Sequence, residues 1–132
     1  MARSEQAALI QLDTHVVVWL HDGLIDRISP TARTALNTHA LTISPMVELE
    51  LQYLHEIGRL SIPASEILHT LHTAIGLSVS QTSFATVASR AAQINWTRDP
   101  FDRLIVAQAQ CDAAPLITCD ERIRTHFTAA LW

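Results

Sequence analysis

The chain has 132 residues, 48% of them hydrophobic, enough for one packed core and too few for two domains. Its nine basic residues are all arginine and its thirteen acids outnumber them, for a net charge of −4. General polyanion binding is thereby excluded, and any nucleic acid must be met by a local arginine patch or through bound metal. No apolar run is long enough to span a membrane, and neither a signal-peptide pattern, a linker nor an internal repeat is present. The whole of 1–132 reads as one domain with a frayed polar start over 1–6. Cys111 and Cys119 lack CxxC spacing and are expected to be reduced, buried thiols, which places the protein in the cytoplasm.

In chain order, the apolar run Ala7 to Leu12 is a buried strand stopped by Asp13-Thr14, and a helix follows through Leu20 until Asp22-Gly23 breaks it. Ser29-Pro30 opens a second helix reaching Asn37, and Leu41-Thr42-Ile43 is a second strand. Ser44 is then an N-cap and Pro45 a first helical position, for a helix from Met46 to about Ile57 that Gly58 ends. Pro63 to Ala74 is another helix. Leu77 to Ser80 alternates like a strand, and Ser83 to Ile94 is an alanine-rich helix. Asp99 caps a helix with Pro100 in its first turn. Pro115 to Cys119 is a strand stopped by Asp120, Glu121 to Phe127 a short helix, and Ala129 to Leu131 a final strand. Short apolar strands alternating with helices predict an α/β domain, its mainly parallel central sheet flanked by helices on both faces. Ligands of such sheets gather beyond the carboxyl ends of the strands.

Four acids stand out against this pattern. Asp13 and Asp120 are each the first charge after a buried strand, and so project at the carboxyl edge of the sheet. Each is equally well read, taken alone, as a plain helix cap. Asp102 shares a helical face with Ile105, Val106 and Ala109, where an unpaired charge is costly. Glu50 falls in line with the apolar Val47, Leu54 and Ile57, whereas Glu48 lies with the polar Gln52, His55 and Arg59, and Glu56 beside that stripe. Four converging carboxylates would push one another's pKa values upward unless a counter-charge were present. An oxygen-only donor set favours a hard cation, Mg²⁺ or Mn²⁺, able to activate water and share a substrate phosphate.

Other motifs carry less. His69 and His72 lack a third ligand near in sequence, the glycines belong to no phosphate loop, and no serine or cysteine sits in a nucleophile elbow. Trp19, Trp96 and Trp132 are read as core or interface residues.

Four segments together resemble the PIN domain family, and within it the VapC-type toxins of bacterial toxin–antitoxin pairs. They are Leu12 to Leu20, Ile43 to Leu60 with Glu50, Trp96-Thr97-Arg98 with the Asp99 helix, and Leu116 to Asp120. The resemblance implies a PIN-like fold and an endoribonuclease dependent on Mg²⁺ or Mn²⁺. Its acids are carried over as Asp13, Glu50, Asp102 and Asp120, with Asp99 as an accessory acid. It further implies a homodimer inhibited by a cognate antitoxin whose tail covers the acidic pocket. Glu48 is an acid where similar sequences commonly carry an apolar residue, and both the face pattern and the spacing to Gly58 select Glu50.

On this reading Asp13, Asp102 and Asp120 hold the metal directly or through water, and Glu50 ligates it or orients the attacking water. Thr14, Ser44 and Thr118 supply supporting hydrogen bonds. Arg98, Arg103 and Arg122 grip substrate phosphates or, equally, pair with neighbouring acids. Two rival classes are a non-catalytic adaptor of the same fold and a metal-dependent phosphatase acting on small substrates.

Overall fold

The computed structural model describes residues 7–132, so the fraying expected over 1–6 lies outside the described residues. Five strands run β1 (Leu9–Leu12), β2 (Ala40–Ile43), β3 (Ser78–Val79), β4 (Leu116–Ile117) and β5 (Ala130–Leu131). The helices are α1 (Thr14–Asp22), α2 (Pro30–Thr38), α3 (Pro45–Glu56), α4 (Ala64–Ile75), α5 (Phe84–Ala91), α6 (Pro100–Cys111) and α7 (Glu121–His126). A 3₁₀ turn over Ile25–Arg27, which no residue pattern predicts, joins α1 to α2.

All strand pairings are parallel, in the order β3-β2-β1-β4-β5. Because crossovers are right-handed, connections running outward through β2 and β3 cover one face, and those running back through β4 and β5 cover the other. The order reverses between β1 and β4, where Leu12 is level with Ile117. Strand ends diverge from their connections there, and a crevice opens beyond them.

Burial explains the sequence pattern. Ile10, Leu12, Ile43, Leu116 and Ile117 are buried, as continuous apolar strands of a two-sided sheet must be. Helices present narrower stripes: Val16 and Val17 from α1, Val47 and Leu51 from α3, and Ile105, Val106 and Ala109 from α6. β3 and β4 are each only two residues long, shorter than the apolar runs that contain them. α5 stops at Ala91, three residues before the alanine-rich pattern does. There Arg103 of α6 donates through Nε to the Ala91 carbonyl at 3.1 Å and through Nη2 to the Ala92 carbonyl at 3.3 Å, satisfying carbonyls that another helical turn would have bonded.

One part-buried polar knot borders this core. Asp112, the C-cap of α6, accepts from Gln11 Nε2 at 2.7 Å, Ser80 Oγ at 2.7 Å, Gln108 Nε2 at 3.2 Å and the Thr82 hydroxyl. A carboxylate at a helix C-terminus opposes the dipole, and these donors offset that cost while tying β1, the segment after β3 and α6 together.

The cysteines depart from expectation. Both are free, as the sequence implied, but half-buried rather than buried, because Cys111 lies in the last turn of α6 and Cys119 on the exposed side of the β4 end.

Candidate functional site

A cavity of about 350 Å³ opens beyond the ends of β1 and β4 and is lined by Asp13, Glu50, Asp99, Asp102 and Asp120 together with His15, Trp19 and Cys119. Four elements supply the five acids. Asp13 ends β1, Glu50 is in the middle of α3, Asp99 caps α6, Asp102 is in its first turn, and Asp120 follows β4.

Three of these acids are helix caps as well as cavity walls. Asp13 Oδ1 accepts from the Thr14 amide at 2.8 Å, Asp99 Oδ1 from the Phe101 amide at 2.8 Å, and Asp120 Oδ1 from the Ile123 amide at 2.9 Å. Capping and lining are not alternatives, since in Asp99 and Asp120 the cap uses only one carboxylate oxygen and no donor among the described residues takes the other. In Asp13 the second oxygen accepts from the buried Thr118 hydroxyl at 2.6 Å. Thr118 Oγ1 also accepts from the Asp120 amide at 3.1 Å, so one hydroxyl sets both strand-end acids. The Thr14 hydroxyl donates to Glu50 Oε1 and fixes that carboxylate against α1.

Asp102 differs, because no hydrogen-bond donor reaches its carboxylate among the described residues. Burial, followed by repulsion from Asp99, Asp120, Asp13 and Glu50, pushes its pKa up to about 7. Asp13 is also raised by burial, against the opposing bonds from Thr118 and Thr14. Burial raises Glu50, and the Thr14 bond partly offsets this. The Cys119 thiol is pushed up by burial and then by Asp13, which keeps it protonated and a poor nucleophile.

The other expected residues lie elsewhere. Ser44 caps α3 by accepting from the Met46 amide at 3.0 Å and does not line the cavity. Arg98 and Arg103 line a separate groove on the far side of the Asp99 segment, and Arg122 is exposed on α7. Glu48 and Glu56 are exposed; Glu56 accepts from Gln52 Nε2 at 3.2 Å, the helical pairing its spacing suggested. Sequence reasoning passed over His15 and read Trp19 as a core or interface residue and Cys119 as a buried thiol, whereas all three line the cavity. His15 and Trp19 are four apart on α1, with ring centroids 6.1 Å apart, and their spacing puts them on one helical face without telling whether that face meets core or cavity. Thr97, buried ahead of α6, accepts from the Asp99 amide at 3.2 Å. His126 of α7 stacks on Trp96 at 4.9 Å and 4°, joining the helix behind Asp120 to the segment that leads into Asp99.

An α/β sheet whose switch point is ringed by carboxylates defines a class of acidic-site proteins, and the sequence gives it a family. The chain matches the PIN domain over residues 10–126 and belongs to that family. The fold is shared with VapBC2 from Rickettsia felis bound to a DNA fragment from their promoter, at 17% identity, over 89% of this chain and 92% of that one, with a TM-score of 0.66. It is shared likewise with a toxin–antitoxin complex from Klebsiella pneumoniae, at 19% identity, over 92% and 94% of the two chains, with a TM-score of 0.62. No curated protein matches the sequence.

The donor chemistry fits a hard divalent cation. The walls offer carboxylate oxygens, and the raised Asp102 lacks a counter-charge. Among the described residues no three acids, histidines or cysteines are placed to hold an ion together, so direct ligation here falls to fewer than three of them. Such a site suits an ion that keeps several waters and takes one or two carboxylates directly, as Mg²⁺ does.

Proposed function

We propose that the protein is a metal-dependent endoribonuclease, the toxin of a type II toxin–antitoxin pair. The observation that carries this reading is the convergence of Asp13, Glu50, Asp99, Asp102 and Asp120 on one cavity at the switch point of the sheet. Asp13, Asp102 and Asp120 would hold Mg²⁺ or Mn²⁺ directly or through water. When bound, the ion polarises the scissile phosphate and lowers the pKa of water. Asp13 is held in place by Thr14 and Thr118, so its orientation is set before substrate arrives.

Glu50 orients the attacking water and accepts its proton, a task its raised pKa suits. In-line attack breaks the bond from phosphorus to the 3′ oxygen and leaves 5′-phosphate and 3′-hydroxyl ends. Asp99 supports the site from the exposed side. Arg98, Arg103 and Arg122 are the cations nearest in sequence to these acids and bind neighbouring phosphates.

Both similar structures are of toxin–antitoxin assemblies, which supports an antitoxin as the inhibitory partner. Tyr53 and Ile57 are exposed on α3, apolar area of the kind a homodimer covers. Among the described residues no helix is long and apolar enough to cross a membrane.

The test is incubation of the purified protein with single-stranded RNA and Mn²⁺. Cleavage should stop with EDTA and fall at least about a hundredfold in Asp13→Ala and Asp102→Asn. Undiminished cleavage in both variants would reject the assignment. Turnover of an aryl phosphate in place of RNA would favour a phosphatase.

A further inference from the structure

Beside the acidic cavity lies a groove of about 360 Å³ between α5 and α6, whose walls include Phe84, Ala88, Arg98, Pro100, Arg103 and Leu104 and carry no acid. The segment Arg98-Asp99-Pro100 is the partition between the two: Arg98 and Pro100 face the groove and Asp99 the cavity. We propose that this groove is the track for single-stranded RNA flanking the scissile bond, with Phe84 stacking a base while Arg98 and Arg103 hold phosphates. The inference rests on the nuclease reading above and deepens it by naming the surface, and the residues on it, that take the strand beyond the scissile bond.

Phe84, at the start of α5, is 68% exposed, more than any other large apolar side chain among the described residues. A ring left in water at the lip of a groove is available to the π-face of a base. Arg98 is exposed, and no carboxylate pairs with it among the described residues. Arg103 has its guanidinium fixed by the Ala91 and Ala92 carbonyls, neutral acceptors that orient the fork and leave its charge uncompensated. In a chain of net charge −4, two unneutralised guanidinium groups in an acid-free groove are a local reversal of sign that suits a polyanion.

Aromatic and cationic side chains along one groove are the composition of single-strand tracks. In a duplex the base faces are stacked on one another and unavailable to Phe84. Adjacency favours RNA over a protein partner, because a strand with one phosphate in the cavity enters the groove once it crosses the Asp99 partition.

The experiment measures binding of a fluorescently labelled 12-nucleotide RNA of mixed sequence by anisotropy, in EDTA so that no cleavage occurs. Phe84→Ala should weaken binding about fivefold or more, and Phe84→Tyr should restore it. Arg98→Ala should weaken binding and make the salt dependence shallower by about one ion. The same sequence as a duplex should bind less tightly than the single strand.

Unchanged affinity in both Phe84→Ala and Arg98→Ala overturns the proposal. If those variants instead change the molar mass by light scattering while RNA affinity holds, the groove is an interface between copies of this chain. Wild-type protein that neither binds nor cleaves RNA removes the nuclease reading itself. Wild-type cleavage with variants indistinguishable from it removes only the track.

Discussion

Asp102 is the residue on which the acidic cavity turns, since it is half-buried, surrounded by four other carboxylates and without a donor of its own. Its pKa of about 7 in the folded protein exceeds the ordinary 3.8. Between those values the folded state holds more protons than the unfolded chain. Its contribution to stability is therefore full below about 3.8 and is lost as pH rises through about 7. Asp13 and Glu50, also raised, act with the same sign. The metal-free protein should melt at a higher temperature at pH 5.5 than at pH 8, and Asp102→Asn should shrink that difference and raise the melting temperature at pH 8. An unaltered pH slope in the variant would show that Asp102 is not strained.

Thr118 is the second sensitive position, because its hydroxyl serves both Asp13 and Asp120. Thr118→Val should cost about 1–3 kcal/mol in urea unfolding, the usual penalty for leaving a buried polar group unpaired. At this scale much was legible: the apolar faces of two helices singled out Glu50 and Asp102, and the strand ends singled out Asp13 and Asp120. His15 and Trp19 were not, because a histidine and a tryptophan at helical spacing look the same whether they face core or cavity.

At the scale of elements, the connections carry information that periodicity does not. The alanine-rich pattern continues beyond Ala91, yet α5 ends there in a tightened turn whose Ala91 carbonyl accepts both from the Ile94 amide and from Arg103, twelve residues on. No local signal reports such a bond. Ser29, Ser44 and Asp99 were all readable as caps, because a capping side chain serves backbone within three residues of itself. Asp112 belongs with Arg103: a carboxylate at the wrong end of a helix reads as a surface residue, and its partners come from Gln11, Ser80, Thr82 and Gln108. Asp112→Ala should destabilise the fold by about 1–3 kcal/mol in denaturant unfolding, since the buried Gln11 amide and three further donors lose their acceptor together. A loss below about 0.5 kcal/mol would mean that the network closes on itself without the carboxylate.

At the scale of the molecule, the site exists because the chain returns. β1, β2 and β3 step one way, and the crossover through α5 and α6 carries β4 back to the other side of β1. That return sets Asp120 beside Asp13, more than a hundred residues away, and brings the start of α6 over both. Alternating elements announced a parallel sheet, but the strand order, and with it the meeting of the acids, depends on which edge β4 joins. The resemblance of four short segments to the PIN domain family supplied what periodicity could not.

Calorimetric titration of Mn²⁺ into the wild-type protein and Asp102→Asn tests the convergence of acids most directly. At pH 8 the wild type should take up the ion saturably, more weakly at pH 6 where protons compete for the same carboxylates, and Asp102→Asn should bind at least about tenfold more weakly. A wild type that takes up no Mn²⁺, or a variant that binds it equally well, would contradict a metal-dependent role for this cavity.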